Sequence, residues 1–363
     1  MEQTYYIGID LDDTCAVVSY YLKGMKEPET LSPVAGSEKY QIPVDGSMRT
    51  KENLTAIFKK LLLMASRLGN PTLPDCLAVT IGQLDPKTAH LIGQAVAEIG
   101  LPKENLLLFD RRECFYYYVY SQKEELFLHD VMLFDYRDEV VRSCFMHRNT
   151  RTVPQTIEIT GQEYQMEGEP SDTAFAAFAK SSLDGKICSS VFLSGDGFEG
   201  EWMKQSLVVL CRGRKAFIGK NLYAKGACYG AIVRRGKTPW PYLYLGENEM
   251  KINVGIRARV HGEMVYNTLI EGGESRYEAR GECEAVLKHT DEIEVWCQHL
   301  TSGKEKREPL KLTNLPGGTD AVTRIRIEAK PLTDCEVELT VRDLGFGEIR
   351  KSHDQTWTYT VSV

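Results

Sequence analysis

The chain carries no cysteine pair at CxxC spacing. Its ten cysteines are scattered, and Cys15, Cys188, Cys211 and Cys228 sit in or beside apolar runs. This argues against a thiol zinc or dithiol redox motif and fits buried, reduced thiols in a cytoplasmic protein. No stretch approaches the ~18 apolar residues of a membrane helix. The N-terminus opens directly on a strand, with no basic-then-apolar leader. A soluble chain with no membrane partner is therefore expected. His90, His129, His147, His261, His289, His299 and His353 show no metal-ligand spacing. Positive charge is also in deficit: the net charge is −7 and the pI about 5.7, which argues against a nucleic-acid partner.

What is present is length and apolar content. The 363 residues are 42% hydrophobic, enough for about two or three domains with sizeable cores. Residues 4–10 and 15–23 read as a hairpin turning at Asp12-Asp13-Thr14. Apolar residues at helical spacing predict a helix over 53–68, then a strand at 76–81, a helix at 87–99, a strand at 105–109 and a helix at 111–122. The pattern then restarts. Three strands at 131–135, 140–147 and 153–160 precede a helix at 172–182, with Ser171 as N-cap. Two similar halves, each opened by an acidic hairpin, point to an α/β class. After Pro239-Trp240-Pro241, read as a linker, strand-like runs alternate with turns at Gly272-Gly273, Thr301-Ser302-Gly303 and Pro316-Gly317-Gly318. That is a β-sandwich signature.

Residues 189–231 hold the most informative pattern. The apolar run Val191-Phe192-Leu193 enters Ser194-Gly195-Asp196-Gly197, and a helix is predicted from about Glu199 to Cys211. A strand feeding a glycine turn and a helix is one way to bind phosphate or a nucleobase, because backbone N–H groups point outward there. A second helix, Asn221 to Arg234, is lined by Gly226, Ala227, Gly230 and Ala231. The Tyr116-Tyr117-Tyr118 run reads as core and interface packing. Arg212-Gly213-Arg214-Lys215 reads as a solvated turn.

Together these segments resemble the actin, sugar-kinase and DnaK-type heat-shock chaperone superfamily. Gly8-Ile9-Asp10-Leu11 resembles its first phosphate motif, and Leu133-Phe134-Asp135 the strand leading to its second. The 191–197 segment resembles the adenosine motif, and 226–231 the small-residue helix between the halves. Leu243-Tyr244-Leu245-Gly246, 309–316 and 342–347 resemble parts of the chaperones' β-sandwich peptide-binding domain. The resemblance implies a two-lobed, actin-like ATPase (ribonuclease H-like) domain over 1–240, with lobe I at 1–128 plus 220–240 and lobe II at 129–219. A β-sandwich would follow over 241–363, and a peptide or protein partner would bind there. It further implies ATP or ADP with Mg²⁺ in the cleft. Gly8, Asp12, Asp13, Thr14, Asp135, Arg137, Gly195, Asp196 and Gly197 would lie against the nucleotide. Asp10 would hold the metal, and Asp10 and Glu113 would serve catalysis.

The departures from that pattern set the functional expectation. Asp12 and Asp13 stand where the first loop would have Gly and Thr, and Asp135-Tyr136-Arg137-Asp138-Glu139 retains no loop glycine. Glycines let backbone amides touch phosphates. A carboxylate ~5 Å from a phosphate charge costs about 3 kcal/mol at an effective dielectric of ~20. The connecting helix begins Asp110-Arg111-Arg112-Glu113, so the position of the family's catalytic acid falls on Arg111 or on a displaced Glu113. The expectation is a degenerate ATPase fold with weak or no hydrolysis, in which Arg137 pairs across the cleft with Asp12 or Asp13. The alternative within the resemblance is an active ATP-driven chaperone. A rival reading comes from Asp10-Leu11-Asp12-Asp13-Thr14, which matches the DxDxT motif of haloacid-dehalogenase-like Mg²⁺ phosphatases. Gly195-Asp196-Gly197 would be their last motif, Ser194 or Thr80 the hydroxyl, and Lys180 or Lys186 the lysine.

Overall fold

A computed structural model describes residues 4–34, 39–44, 50–82, 84–236, 239–315, 318, 322–348 and 350–363. Pro316 and Gly317 of the turn expected at Pro316-Gly317-Gly318 lie outside the described residues. The chain divides into two compact units, Met1–Tyr242 and Leu243–Val363.

The first unit repeats one topology twice. In the first lobe, β1 (Tyr5–Leu11), β2 (Cys15–Leu22), β3 (Glu29–Thr30), β4 (Ile42–Pro43), β5 (Cys76–Ile81) and β6 (Leu106–Asp110) form a sheet of order β3-β2-β1-β5-β6, with β4 also on β2. β1 and β2 are antiparallel, whereas β1–β5 and β5–β6 are parallel. The parallel crossovers run through α1 (Lys51–Ser66) and α2 (Pro86–Glu98), which bury their apolar faces. Thr50 caps α1, and Asp85 caps α2 with Pro86 in its first turn. In the second lobe, β7 (Asp130–Arg137), β8 (Val140–Asn149), β9 (Gln155–Gln165), β10 (Cys188–Ser194) and β11 (Lys215–Ile218) follow the order β11-β10-β7-β8-β9. Again the meander is antiparallel and the β7–β10 and β10–β11 pairs are parallel. A three-strand meander extended by two parallel strands, occurring twice in one unit, is the two-lobed, ribonuclease H-like topology of the actin-like class.

Helices α3 (Arg111–Tyr120) and α6 (Leu222–Arg235) join this frame. α6 packs on β1 and α3, so it rests on the first lobe. Its small residues permit close approach: a Cβ on Gly226 would meet the Cys114 carbonyl oxygen at 2.1 Å. Tyr116 and Tyr117 of α3 are buried, against each other and the indole of Trp240, as packing residues.

One local expectation is corrected. The helix expected over 199–211 reduces to α5 (Gln205–Leu210), because Gly200 takes a φ of +91° and interrupts it. α5 is started instead by Asp172, at the head of α4 (Asp172–Leu183), which accepts hydrogen bonds from the amides of Lys204, Gln205 and Ser206. The solvated turn expected at 212–215 forms at Arg212-Gly213-Arg214, with Gly213 at a φ of +71°, and leads into β11, whose edge position leaves Phe217 and Ile218 exposed.

The unit boundary falls within the short strand β12 (Tyr242–Tyr244). The second unit holds two four-stranded antiparallel sheets. One has the order β14-β13-β16-β17, from β13 (Ile252–Val260), β14 (Glu263–Ile270), β16 (Glu292–His299) and β17 (Glu305–Lys311). The other has the order β15-β18-β19-β20, from β15 (Gly281–Lys288), β18 (Val322–Pro331), β19 (Glu336–Gly345) and β20 (Thr356–Ser362). Period-two burial is clearest in β19, and one cluster including Val254, Val295, Ile327 and Leu339 draws on both sheets.

Candidate functional site

The duplicated topology brings two hairpin turns face to face. In the first, β1 ends at Asp10-Leu11 and the chain turns through Asp12, whose N–H donates to the Cys15 carbonyl oxygen at 2.8 Å. In the second, Arg137 pairs with Val140 and only Asp138 and Glu139 form the turn, at φ of +50° and +61°. Two left-handed residues in a two-residue loop are a tight hairpin turn, a position that usually selects Asn or Gly. Asp10 and Asp135 occupy matching places near the ends of β1 and β7. Two residues on, the first hairpin carries Asp12 and the second Arg137.

Those opposed charges meet. The Arg137 guanidinium lies 3.4 Å from Asp12 Oδ2, 3.7 Å from Asp10 Oδ2 and 3.0 Å from Asp135 Oδ1. A second guanidinium closes the cluster: Arg111 Nε is 3.1 Å from Asp10 Oδ1, and a terminal nitrogen is 2.7 Å from Asp12 Oδ2. Strand register places it there. Asp10 pairs with Thr80, and Ile81 pairs with Asp110, so the residue after Asp110 sits beside the end of β1. Asp110 caps α3 by accepting the Glu113 amide at 2.8 Å, which puts Arg111 on the first helical position. The Tyr223 ring at the head of α6 lies 5.5 Å from the Arg111 guanidinium carbon and 5.6 Å from that of Arg137. Burial would lift the Asp12 carboxyl, but Arg111, the Asp13 amide and Arg137 outweigh it and hold it below the usual carboxylate range. Burial would also lower the charge affinity of Arg137, yet Asp135 and Asp10 keep it firmly protonated.

The other expected site residues divide. Asp13 and Thr14 are exposed at the turn, and the Asp13 amide donates to Asp12 Oδ1. Asp196 faces the cleft and accepts a hydrogen bond from Gln41 Nε2 of the first lobe at 2.7 Å. Three glycines serve packing. A Cβ on Gly8 would meet the Ala224 carbonyl oxygen at 2.3 Å, on Gly195 the Tyr136 carbonyl oxygen at 2.2 Å, and on Gly197 the Tyr136 ring at 2.3 Å. Tyr136 is buried against Phe198 and Trp202, so it covers the glycine turn from below. Glu113 is not in the cluster: it is buried beside Arg234, 3.4 Å away, on the face of α3 that packs against α6. The catalytic expectation for Glu113 is therefore corrected, since Arg111 takes the place beside Asp10.

A cleft of about 220 Å³ opens against the ion cluster, lined by Asp10, Asp12 and Arg137 together with Gln41, Asp196 and Lys220. Small-molecule sites usually run to about 300–1,000 Å³. The residues present do not fit a Mg²⁺–triphosphate group. Both Asp10 oxygens already face fixed guanidinium charges, which would repel a divalent cation. Among the described residues no group of three His, Cys, Asp or Glu side chains forms a metal site.

Topology and the paired hairpins define this first unit as an actin-like fold. Within that class, the chain belongs to the family of unknown function (DUF5716) C-terminal, whose model matches residues 44–247. A domain of unknown function (DUF8552) matches residues 249–363. No curated relative matches the chain. Among solved structures it is similar to an inorganic polyphosphate/ATP-glucomannokinase from an Arthrobacter strain, at 10% identity and TM-score 0.40, covering 64% of this chain and 99% of that one. It is also similar to an Aquifex aeolicus Ppx/GppA family protein, at 9% identity and TM-score 0.32, covering 53% and 67%.

Proposed function

We propose that this chain is a degenerate, DnaK-like relative of the actin-like ATPases, a pseudo-ATPase that holds its cleft closed without nucleotide and acts by binding a peptide or protein partner. The single observation that carries the reading is the five-membered ion cluster of Asp10, Asp12, Asp135, Arg111 and Arg137 across the two hairpin turns. A nucleotide phosphate could use the two arginines only by taking them from three carboxylates. Each carboxylate stripped of its partner costs about 3–5 kcal/mol where it is buried. The second unit is the proposed partner-binding module, a β-sandwich in this reading. Support comes from the β13–β14 hairpin, whose edge strand β14 exposes Met264, Val265 and Tyr266.

The phosphatase reading finds less support. It needs Asp10 and Asp12 free to share Mg²⁺, and arginines hold both. Its lysine candidates, Lys180 in α4 and Lys186 just before β10, precede the strand whose far end carries Gly195. The test is titration calorimetry with ATP and ADP, with and without Mg²⁺. No heat of binding at millimolar nucleotide is expected. Micromolar binding would overturn the closed-cleft reading, and turnover would restore the ATP-driven alternative.

A further inference from the structure

A second cavity lies far from the ion cluster, at the opposite end of the second lobe's sheet. β10 begins at Cys188 and ends beside the cleft at Ser194, and the cavity gathers around its beginning. It is an open trench of about 550 Å³ between the start of β7, the end of β8 and the α4–β10 turn. Its rims are aliphatic: Leu128 is 56% exposed and Ile187 71%. Its floor is cationic. Lys186 Nζ stands 4.4 Å above the Phe145 ring and donates to the Ser182 carbonyl oxygen. Arg148 lies over the Phe127 ring and donates to the Leu128 carbonyl oxygen at 3.1 Å. Among the described residues neither Arg148 nor Lys186 forms an ion pair, in a chain of net charge −7. The trench's one carboxylate, Asp130, is already engaged by His147 Nδ1 at 3.0 Å and by the Arg148 amide.

We propose that this trench docks an acidic protein segment bearing an aliphatic anchor. Two cations held on aromatic rings, with no acidic partner among the described residues, complement carboxylates. The two exposed aliphatic rims supply the apolar contacts that an anchor side chain needs. An open trench does not enclose 70–90% of a ligand as small-molecule sites do, so an extended segment fits it better than a metabolite. The inference stands on residues outside the cleft and is independent of the nucleotide question.

The experiment is selection of a displayed library of random nine-residue peptides on the full chain, followed by affinity measurement of the enriched peptides by fluorescence anisotropy. Sequences combining Asp or Glu with Leu, Ile or Met are expected. Their affinity should fall at least tenfold in Lys186→Glu and in Arg148→Glu. Ile187→Ser, which leaves the charges alone, should weaken them severalfold, and circular dichroism should show all three variants folded. Enrichment of basic peptides, no enrichment, or affinities unmoved by both charge reversals would overturn the proposal. Retention of poly(U) RNA that is sensitive to the same reversals, with no peptide enriched, would overturn the choice of ligand.

Discussion

Three carboxylates and two guanidinium groups leave the ion cluster one negative charge in excess, so each arginine is needed by more than one aspartate. Desolvation offsets much of the Coulombic gain in such a cluster, so its net stabilisation is small, but removing one member strands the rest. Arg137→Ala is therefore expected to lower the stability of the first unit by about 3 kcal/mol, the low end of that range because Asp12 keeps some solvent. Urea unfolding followed by tryptophan fluorescence checks this, since Trp202 lies in the same lobe. A loss below about 0.5 kcal/mol, the scale of ordinary surface changes, would show that the pairs contribute nothing. The cluster also sets a pH dependence. A carboxyl held below its ordinary value stabilises the fold at pH above its unfolded pKa, about 3.9, and that contribution is lost as pH falls through the folded value. Asp12 is such a group. Stability should thus fall more steeply below about pH 4 in the parent than in Asp12→Asn, as read from the urea midpoint against pH. Identical slopes would mean that Asp12 does not titrate with folding.

At the scale of elements, much of the first unit was legible because its signals are local. The acidic hairpin at 12–14, the capped helices and the restart near residue 131 follow from turn chemistry and periodicity, and the pairing of Arg137 with Asp12 follows from charges standing where glycines were expected. What stayed hidden depended on register and on tertiary caps. Arg111 shares no local motif with Asp10; only the β1–β5–β6 register brings them level. Gly8, Gly195 and Gly197 carry the same letters whether they admit a phosphate or a neighbouring helix and ring, and here the neighbours are Ala224 and Tyr136. The late start of α5, after Gly200 interrupts the expected helix, depends on Asp172, whose carboxylate caps α5 from 32 or more residues away in sequence. Asp172→Ala should therefore uncap α5 and cost about 1–2 kcal/mol. Amide hydrogen exchange should speed up at 204–210 while β7 stays protected. Unchanged exchange there would mean that α5 does not rely on this cap. A side chain at Gly8 tests the packing role directly. Gly8→Ala forces its methyl into the α6 backbone, and overpacking of that kind costs about 1–3 kcal/mol or more. The measurement is the thermal midpoint, and a neutral result would return Gly8 to the list of candidates for a ligand contact.

For the whole molecule, the two family models and the structural division agree on a boundary near residue 245. Each side of it carries the requirements of an independent fold. The second unit buries its own cluster, with Val254, Val295, Ile325, Ile327, Leu339 and Val341 all at 1% exposure or less, drawn from both sheets. Its buried Asp343 is supplied from within the same unit, by the Thr323 hydroxyl at 2.7 Å and the amides of Gly345 and His353. These bonds outweigh its burial and hold the carboxyl low. A fragment spanning 243–363 should accordingly unfold in one cooperative transition in urea. Within that fragment, Leu339→Ala should cost about 2–5 kcal/mol by opening a cavity at the centre of β19. Truncating the exposed Val265 should cost under about 0.5 kcal/mol, because an exposed side chain leaves no void behind it. A fragment that is unfolded in isolation, or one in which both substitutions cost the same, would mean that the shared core does not suffice to hold this unit together.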